Sequence, residues 1–428
     1  MVPDEWVVAT LDAAGVKVID GDRGKEYPKD ADFSENGYCL FLSAKNVTKS
    51  GFKFDDIQFI DAEKDRKLRK GRVNRGNLVL TTRGSVGQFA HYDDSVPYKV
   101  MRINSGMVVL DADVSNLLPK FLYALCRSRI IQKQIEAASF GSAQPQLTVG
   151  IVKRLKLPIP PLREQKRIAE ILSAWDKAIT TTEQLLANSQ QQKKALMQQL
   201  LTGKKRLLDK NGVRFGGEWK LLQIGEVAKV VTGSTPPKND PANYGGEVSW
   251  ATAEDFKRKY ISDTKVKLSL QGAAKARIVP RGSVLVTCIA SIGKNAIANE
   301  DMATNQQINA VVINENNSNE FFYYQIEFNV EKLLALAGST AVPIINKSSF
   351  EKLKLSFPEL EEQREIASVL SAADQEIAVL QKKLDALKQE KKALMQQLLT
   401  GKRRVRVDNQ GGSHVLSRIY LRRRDEGI

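Results

Sequence analysis

Apolar residues recur at alternating steps of four and three along two stretches of this chain. In the first, Ile168, Leu172, Trp175, Ile179, Thr182, Leu186, Ser189, Lys193, Leu196 and Leu200 keep that rhythm. In the second, Ile366, Leu370, Ala373, Ile377, Leu380, Leu384, Leu387, Lys391, Leu394 and Leu398 do. An average step of ~3.5 residues held for about five heptads predicts a long helix with a coiled-coil seam. Pro158, Pro160 and Pro161 precede the first stretch and Pro358 the second, where a residue without an N–H suits helix entry. Glu164 and Glu361/Glu362 favour the first turns, and Gly203 and Gly401 fall where a left-handed C-terminal cap belongs. Lys193 and Lys391 interrupt both seams at the same place, and either fix register or snorkel from the seam edge.

Elsewhere the pattern is mixed. Tyr38–Leu42, Leu78–Thr81 and Met107–Leu110 are predicted strands, and Val284–Thr287 and Ala310–Ile313 are their later counterparts. The chain thus reads as five segments: a mixed domain over 1–157, a helical spacer over 158–208, a second mixed domain over 209–355, a second spacer over 356–405, and a basic tail over 406–428 that contains Arg422, Arg423 and Arg424. The fold class is α+β, with two mixed α/β domains separated by two long antiparallel coiled-coil helices.

These segments repeat. Residues Lys193–Lys204 are identical to Lys391–Lys402, an offset of 198, and Glu164–Ile179 matches Glu362–Ile377 at the same offset. The mixed domains are diverged copies. Arg75–Thr81 aligns with Arg281–Thr287, Thr82–Gly87 with Cys288–Gly293, Glu5-Trp6 with Glu218-Trp219, and Gly141-Ser142 with Gly338-Ser339, Pro145 and Pro343 following. A pseudo-twofold chain with two similar but unequal faces suits a bipartite partner. A helix of about 37 residues is roughly 55 Å long at ~1.5 Å per residue, enough to hold two heads about one DNA turn, ~34–36 Å, apart.

The composition names the partner's charge. A formal net charge of +16 attracts polyanions, of which nucleic acid is the commonest. The 7% aromatic content offers no stacking platform for single strands, which favours duplex. Cys39, Cys126, Cys288, His91 and His414 are too scattered for a disulfide framework or a zinc site. That scatter reads as a reducing cytoplasm, and the mixed, acidic N-terminus and the lack of a long apolar run predict no secretory signal and no membrane span.

Catalytic motifs are missing from the sequence. There is no phosphate-binding Gly-x-x-x-x-Gly-Lys-Ser/Thr loop and no Gly-x-Gly-x-x-Gly after a strand. Asn239–Tyr244 lacks the second proline of an adenine-methyltransferase loop and reads as a turn, as do Gly84, Gly87 and Gly293. The candidate DNA contacts are Arg75, Arg83, Lys99 and Arg102 in the first head, and Lys257, Arg258, Lys259, Arg281 and Lys294 in the second. Arginine suits bidentate guanine contacts, and lysine mainly positions the phosphate backbone. No catalytic or metal-binding residue is expected.

Over nearly its full length the chain resembles the specificity subunit of type I restriction–modification enzymes. The resemblance rests on Pro161–Ala169 and Glu361–Ala367, the duplicated helix ends to Lys204 and Lys402, Gly217–Trp219, Arg83–Gly87, and Thr304–Asn309. It implies two target-recognition domains that each read half of an interrupted, asymmetric duplex site, with helices that set the gap and dock two methyltransferase subunits. Those subunits use S-adenosylmethionine to methylate adenine, and two motor–nuclease subunits use ATP and Mg2+; this chain itself binds no cofactor. Asn104–Met107 stands against Gln307–Ala310, so the first head is expected to be built differently in that loop. The competing readings are a coiled-coil scaffold or a stand-alone duplex-binding protein, and a self-contained nuclease–methyltransferase is disfavoured.

Overall fold

The structure, a computed structural model, describes residues 2–139, 146–338 and 342–406. Gly141, Ser142, Pro145, Ser339, His414 and the tail arginines lie outside the described residues. The two predicted rods are single helices of 39 residues each, Leu162–Leu200 and Leu360–Leu398. Both end as the glycines predict. Gly203 and Gly401 have φ of 69° and 72°, and the N–H groups of Lys205 and Arg403 reach back to the carbonyls of Gln199 and Gln397 at 3.0 and 3.1 Å.

The chain divides into two compact units, one of Met1–Thr181 with the chain from Leu384 onward, the other of Thr182–Lys383. Each long helix is therefore shared, its first half in one unit and its second half in the other. In the first unit, Ile168, Leu172, Leu398 and Leu399 enter one core with Trp6, Leu11, Phe121 and Leu122. In the second, Leu200 and Leu201 meet Ile366, Leu370, Phe321 and Phe322 in the equivalent core. The start of one helix thus lies beside the end of the other in both units, which is antiparallel pairing. Mid-helix seam positions Trp175, Ile179, Ile377, Leu380 and Leu387 are half-buried, as are Leu196 and Leu394, whereas Leu186 and Leu384 are buried.

Each unit carries a mixed head built on the same two sheets. In the first, an antiparallel sheet runs in the order Lys17–Asp20, Met107–Asp111, Leu78–Thr81, Phe89–His91. In the second, Ala228–Thr232, Ile308–Ile313, Val284–Thr287 and Asn295–Ala298 follow that order, with Tyr260–Ile261 added in parallel at the edge. The other sheet pairs Cys39–Leu42 with Met101–Ile103 in parallel, and Tyr244–Ala251 with Met302–Thr304 likewise. All five predicted strands are present within a few residues of their expected bounds.

The Glu-Gln pair that begins each rod has a structural task. Gln165 Oε1 accepts from Leu118 N at 2.9 Å, and its amide donates to the carbonyls of Asn116 and Pro160. Gln363 repeats this on Ser318 N, Asn317 Oδ1 and Pro358 O. Glu362 is fully buried and accepts both prongs of Arg206 at 2.6 and 2.7 Å; Glu164 takes Arg404, which also reaches Glu5. The basic residues after each helix therefore do more than complement a dipole, because a bidentate pair locks each helix end to the start of its neighbour.

Candidate nucleic-acid interface

The two heads share a turn frame. After Leu78–Thr81 and after Val284–Thr287 the chain makes the same loop: Gly87 N donates to Thr81 O at 2.9 Å and Gly293 N to Thr287 O at 3.0 Å. Thr81 Oγ1 and Thr287 Oγ1 donate to the carbonyls of Ser85 and Ser291. Position 84 is glycine at φ 70°, and its counterpart Ala290 sits at φ 63°, the one left-handed residue among the described residues that is not glycine. The turn reading for Gly84, Gly87 and Gly293 is therefore what the geometry shows.

A second loop packs against this turn in both heads. Thr82 N donates to Gly106 O and Cys288 N to Gln307 O, each at 2.8 Å. Asn104 Oδ1 accepts from Gly106 N at 2.9 Å, and Asn305 Oδ1 from Gln307 N at 3.1 Å. Gly21 and Gly233 complete the frame, since a Cβ on either would fall 2.2 or 2.1 Å from the carbonyl oxygen of Asn104 or Asn305. This corrects one expectation. The counterpart of Asn104–Met107 is Asn305–Ile308, and the first head's loop is built as in the second; equating it with Gln307–Ala310 slipped the register by two, because the paired strands Leu78–Thr81 and Val284–Thr287 set Met107 opposite Thr81 and Ile308 opposite Thr287.

On this common frame the outward side chains differ. In the first head, Arg83 is exposed, and the Gln146 amide, with its oxygen turned to the guanidinium, accepts from Nε at 3.1 Å and a terminal nitrogen at 2.9 Å. Arg23 donates to Ser105 O and Asp20 at 3.2 Å. In the second head, the position of Arg83 is taken by Ile289, bridged to Ile344, which is 50% exposed. Thr235 hydrogen-bonds the exposed Gln306. Sequence reasoning missed Arg23, Gln146, Thr235, Gln306 and Ile344, because their convergence depends on loops far apart in the chain. Thr304–Asn309 was the one signal, and it marked the family without marking a surface.

The predicted contacts separate on inspection. Lys99, Lys257, Arg258, Arg281 and Lys294 are exposed, and no ion pair engages their side chains among the described residues. Three are otherwise occupied. Arg102 is only 5% exposed and spends its donors on Asp65 and on the carbonyls of Lys70, Asp65 and Leu68, so it holds a loop and does not face a ligand. Lys259 is surrounded by Glu320 at 2.9 Å, Ser371 at 2.6 Å and Tyr324 at 3.2 Å, which satisfies all three ammonium protons. Arg75 stacks 4.0 Å over Tyr92 and donates to the carbonyls of Asp93, Val96 and Tyr98.

The seam lysines pair, and neither snorkels. Lys193, 13% exposed, binds Glu327 at 2.8 Å and Asp374 at 2.7 Å. Lys391, 11% exposed, binds Asp176, which also lies 3.9 Å from Arg127. Burial alone would lower both. Asp374 and Glu327 outweigh it and raise Lys193, whereas Lys391 is left below the usual lysine range, with Arg127 adding to the depression. The cysteine thiols are buried, and burial pushes Cys39 to about 12 and Cys288 to about 11, so neither is a thiolate near neutral pH.

Two homologous heads, each mounted on halves of two antiparallel helices and each offering the same loop frame with different side chains, define a duplicated recognition protein. The family model for the type I restriction modification DNA specificity domain matches residues 3–188 and 216–389, and the chain belongs to that family. It is 25% identical over 419 residues to a putative type I restriction enzyme MjaX specificity subunit of Methanocaldococcus jannaschii, covering 95% of each chain. It is 21% identical to the HindI specificity subunit of Haemophilus influenzae over 80% of this chain and 89% of that one. Its fold is similar to a type I restriction-modification S subunit from M. genitalium, with a TM-score of 0.60 at 14% identity, over 93% of this chain and 96% of that one. A structure described as addressing complex assembly and conformational transition of the type I R-M system gives a TM-score of 0.56 at 20% identity, over 94% and 99%. This chain is a DNA specificity subunit of a type I restriction–modification system.

Proposed function

We propose that each head reads one half of an interrupted, asymmetric duplex sequence while the paired helices set the gap and dock two methyltransferase subunits. The exposed, unpaired cations Lys99, Lys257, Arg258, Arg281 and Lys294 hold phosphates, and Arg83 approaches a base edge. Catalysis belongs to the partners: methyltransferase subunits carry S-adenosylmethionine for adenine methylation, and two motor–nuclease subunits use ATP and Mg2+ to complete the restriction enzyme. The assembly works in the cytoplasm, and no helix among the described residues is long and apolar enough to cross a membrane.

The observation that carries this reading is the pair of loop frames with corresponding hydrogen bonds and unlike exposed side chains, since two readers of one kind with different contents are what an asymmetric bipartite site requires. Selection from random duplexes by the full chain with its methyltransferase tests it. The expected result is two unequal motifs at one fixed spacing; a single motif, or two motifs at any spacing, overturns the reading.

A further inference from the structure

The two loop frames differ in the chemical class of what they present, and this difference deepens the proposed function, on which it rests. In the first head the outermost group is the Arg83 guanidinium. Gln146 Oε1 takes Nε and one terminal nitrogen, which fixes the plane of the group and leaves the donors along its far edge free. Arg23 donates to Asp20 and to the carbonyl of Ser105, on the same loop whose Gly106 carbonyl accepts from Arg83 N. A fork of donors in a fixed plane matches the paired O6 and N7 acceptors of guanine in the major groove.

In the second head that position has no charge. Ile289 and Ile344 bridge across it, and an apolar pair there can contact only the C5-methyl of thymine among base-edge groups. On the loop whose Gln307 carbonyl accepts from Cys288 N stands the exposed Gln306 amide. Thr235 donates to one lone pair of Oε1, which leaves the second lone pair and both Nε2 protons for a base. Acceptor and donor side by side match N6 and N7 of adenine. In the shared frame Ile289 and Ile344 take the positions of Arg83 and Gln146, and Gln306 takes that of Ser105, so the heads differ in the side chains carried on like backbone.

We propose that the first head selects a guanine through Arg83, oriented by Gln146, and that the second head selects A·T pairs through Gln306 with Ile289 and Ile344 against a thymine methyl. Arg83 and Gln306 are the specificity-determining residues, and Gln146 and Thr235 position them.

The test uses the full chain assembled with its methyltransferase, selecting from duplex libraries randomised in both half-sites. Arg83→Lys keeps the charge and loses the planar fork, and Gln306→Ala removes the amide; melting curves check that each variant folds. The expected result for Arg83→Lys is a roughly 5- to 150-fold loss of preference at one guanine in one half-site, with the other half-site and the gap unchanged. Gln306→Ala should relax an adenine in the other half-site only. A uniform fall in affinity with both half-sites intact would make Arg83 a phosphate contact and overturn the inference. A wild-type protein that selects no spaced bipartite site would instead overturn the underlying reading, so the two failures are distinguishable. If Arg83→Lys fails to fold, Gln146→Ala gives the second reading, with the same guanine blurred and not lost.

Discussion

At the scale of the residue, two lysines identical in sequence context have opposite electrostatics. Lys193 lies between Glu327 and Asp374, whereas Lys391 shares its one carboxylate, Asp176, with Arg127. Lys193 is largely buried between two part-exposed carboxylates, so Lys193→Met should destabilise by about 1–3 kcal/mol. Lys391→Met should cost under about 1 kcal/mol or stabilise, because Asp176 keeps Arg127 and stays part-exposed. Urea titrations of the two variants check both magnitudes. The pH dependence differs in sign as well. Lys193 is raised above 10.5, so its contribution is present below that pH and is lost as pH climbs through the raised value. Lys391 is lowered, so the unfolded chain binds more protons between the lowered value and 10.5, and its penalty is relieved as pH rises through that window. The stability of wild type relative to Lys391→Met should therefore rise from pH 8 toward 10.5, and a fall contradicts the assignment.

At the scale of the element, each rod begins with a glutamine hydrogen-bonded to its head. Gln165→Ala frees the backbone groups of Leu118, Asn116 and Pro160, and unpaired buried groups cost about 1–3 kcal/mol. Gln363→Ala should behave alike, and hydrogen exchange at Leu118 N or Ser318 N reports the released donor. Gly233→Ala cannot be relieved by a side-chain shift, because the clash is with the Asn305 carbonyl. That substitution should displace the recognition loop and lower DNA affinity in one half-site, as binding to half-site variants would show. The rods and their caps were legible in the sequence because a 3.5-residue period is a local signal carried by about ten positions. The glutamine clamps were visible as a repeated pair, but their partners in the heads, Asn116 and Leu118 or Asn317 and Ser318, lie more than 40 residues away and left no local trace.

At the scale of the whole molecule, DNA binding should be strongly salt-dependent. If six to ten phosphates are neutralised, affinity falls by ~10³–10⁵ between 50 and 200 mM salt. A slope that stays flat in fluorescence titrations would deny the exposed cations their role. Spacing is the second readout. One heptad added after Thr181 and one after Lys383 preserve the seam and add about 10 Å at ~1.5 Å per residue. The recognised gap should lengthen by about three base pairs, with both half-sites unchanged in modification mapping.

By itself the sequence determined the duplication, the two rods with their glycine stops, the strand cores and the family, since each is written in period or in repeat at one offset. Only the tertiary structure decided which cations face outward. Arg102, Lys259 and Arg75 read as contacts by charge, yet their donors are taken by carbonyls and carboxylates that folding brings in from Asp65, Glu320 and Asp93. The frame shared by Asn104 and Asn305 was likewise hidden, because a loop's register follows from strand pairing and not from its own residues. Charge is a property of a residue, but availability is a property of its neighbours, and those are assembled from distant parts of the chain.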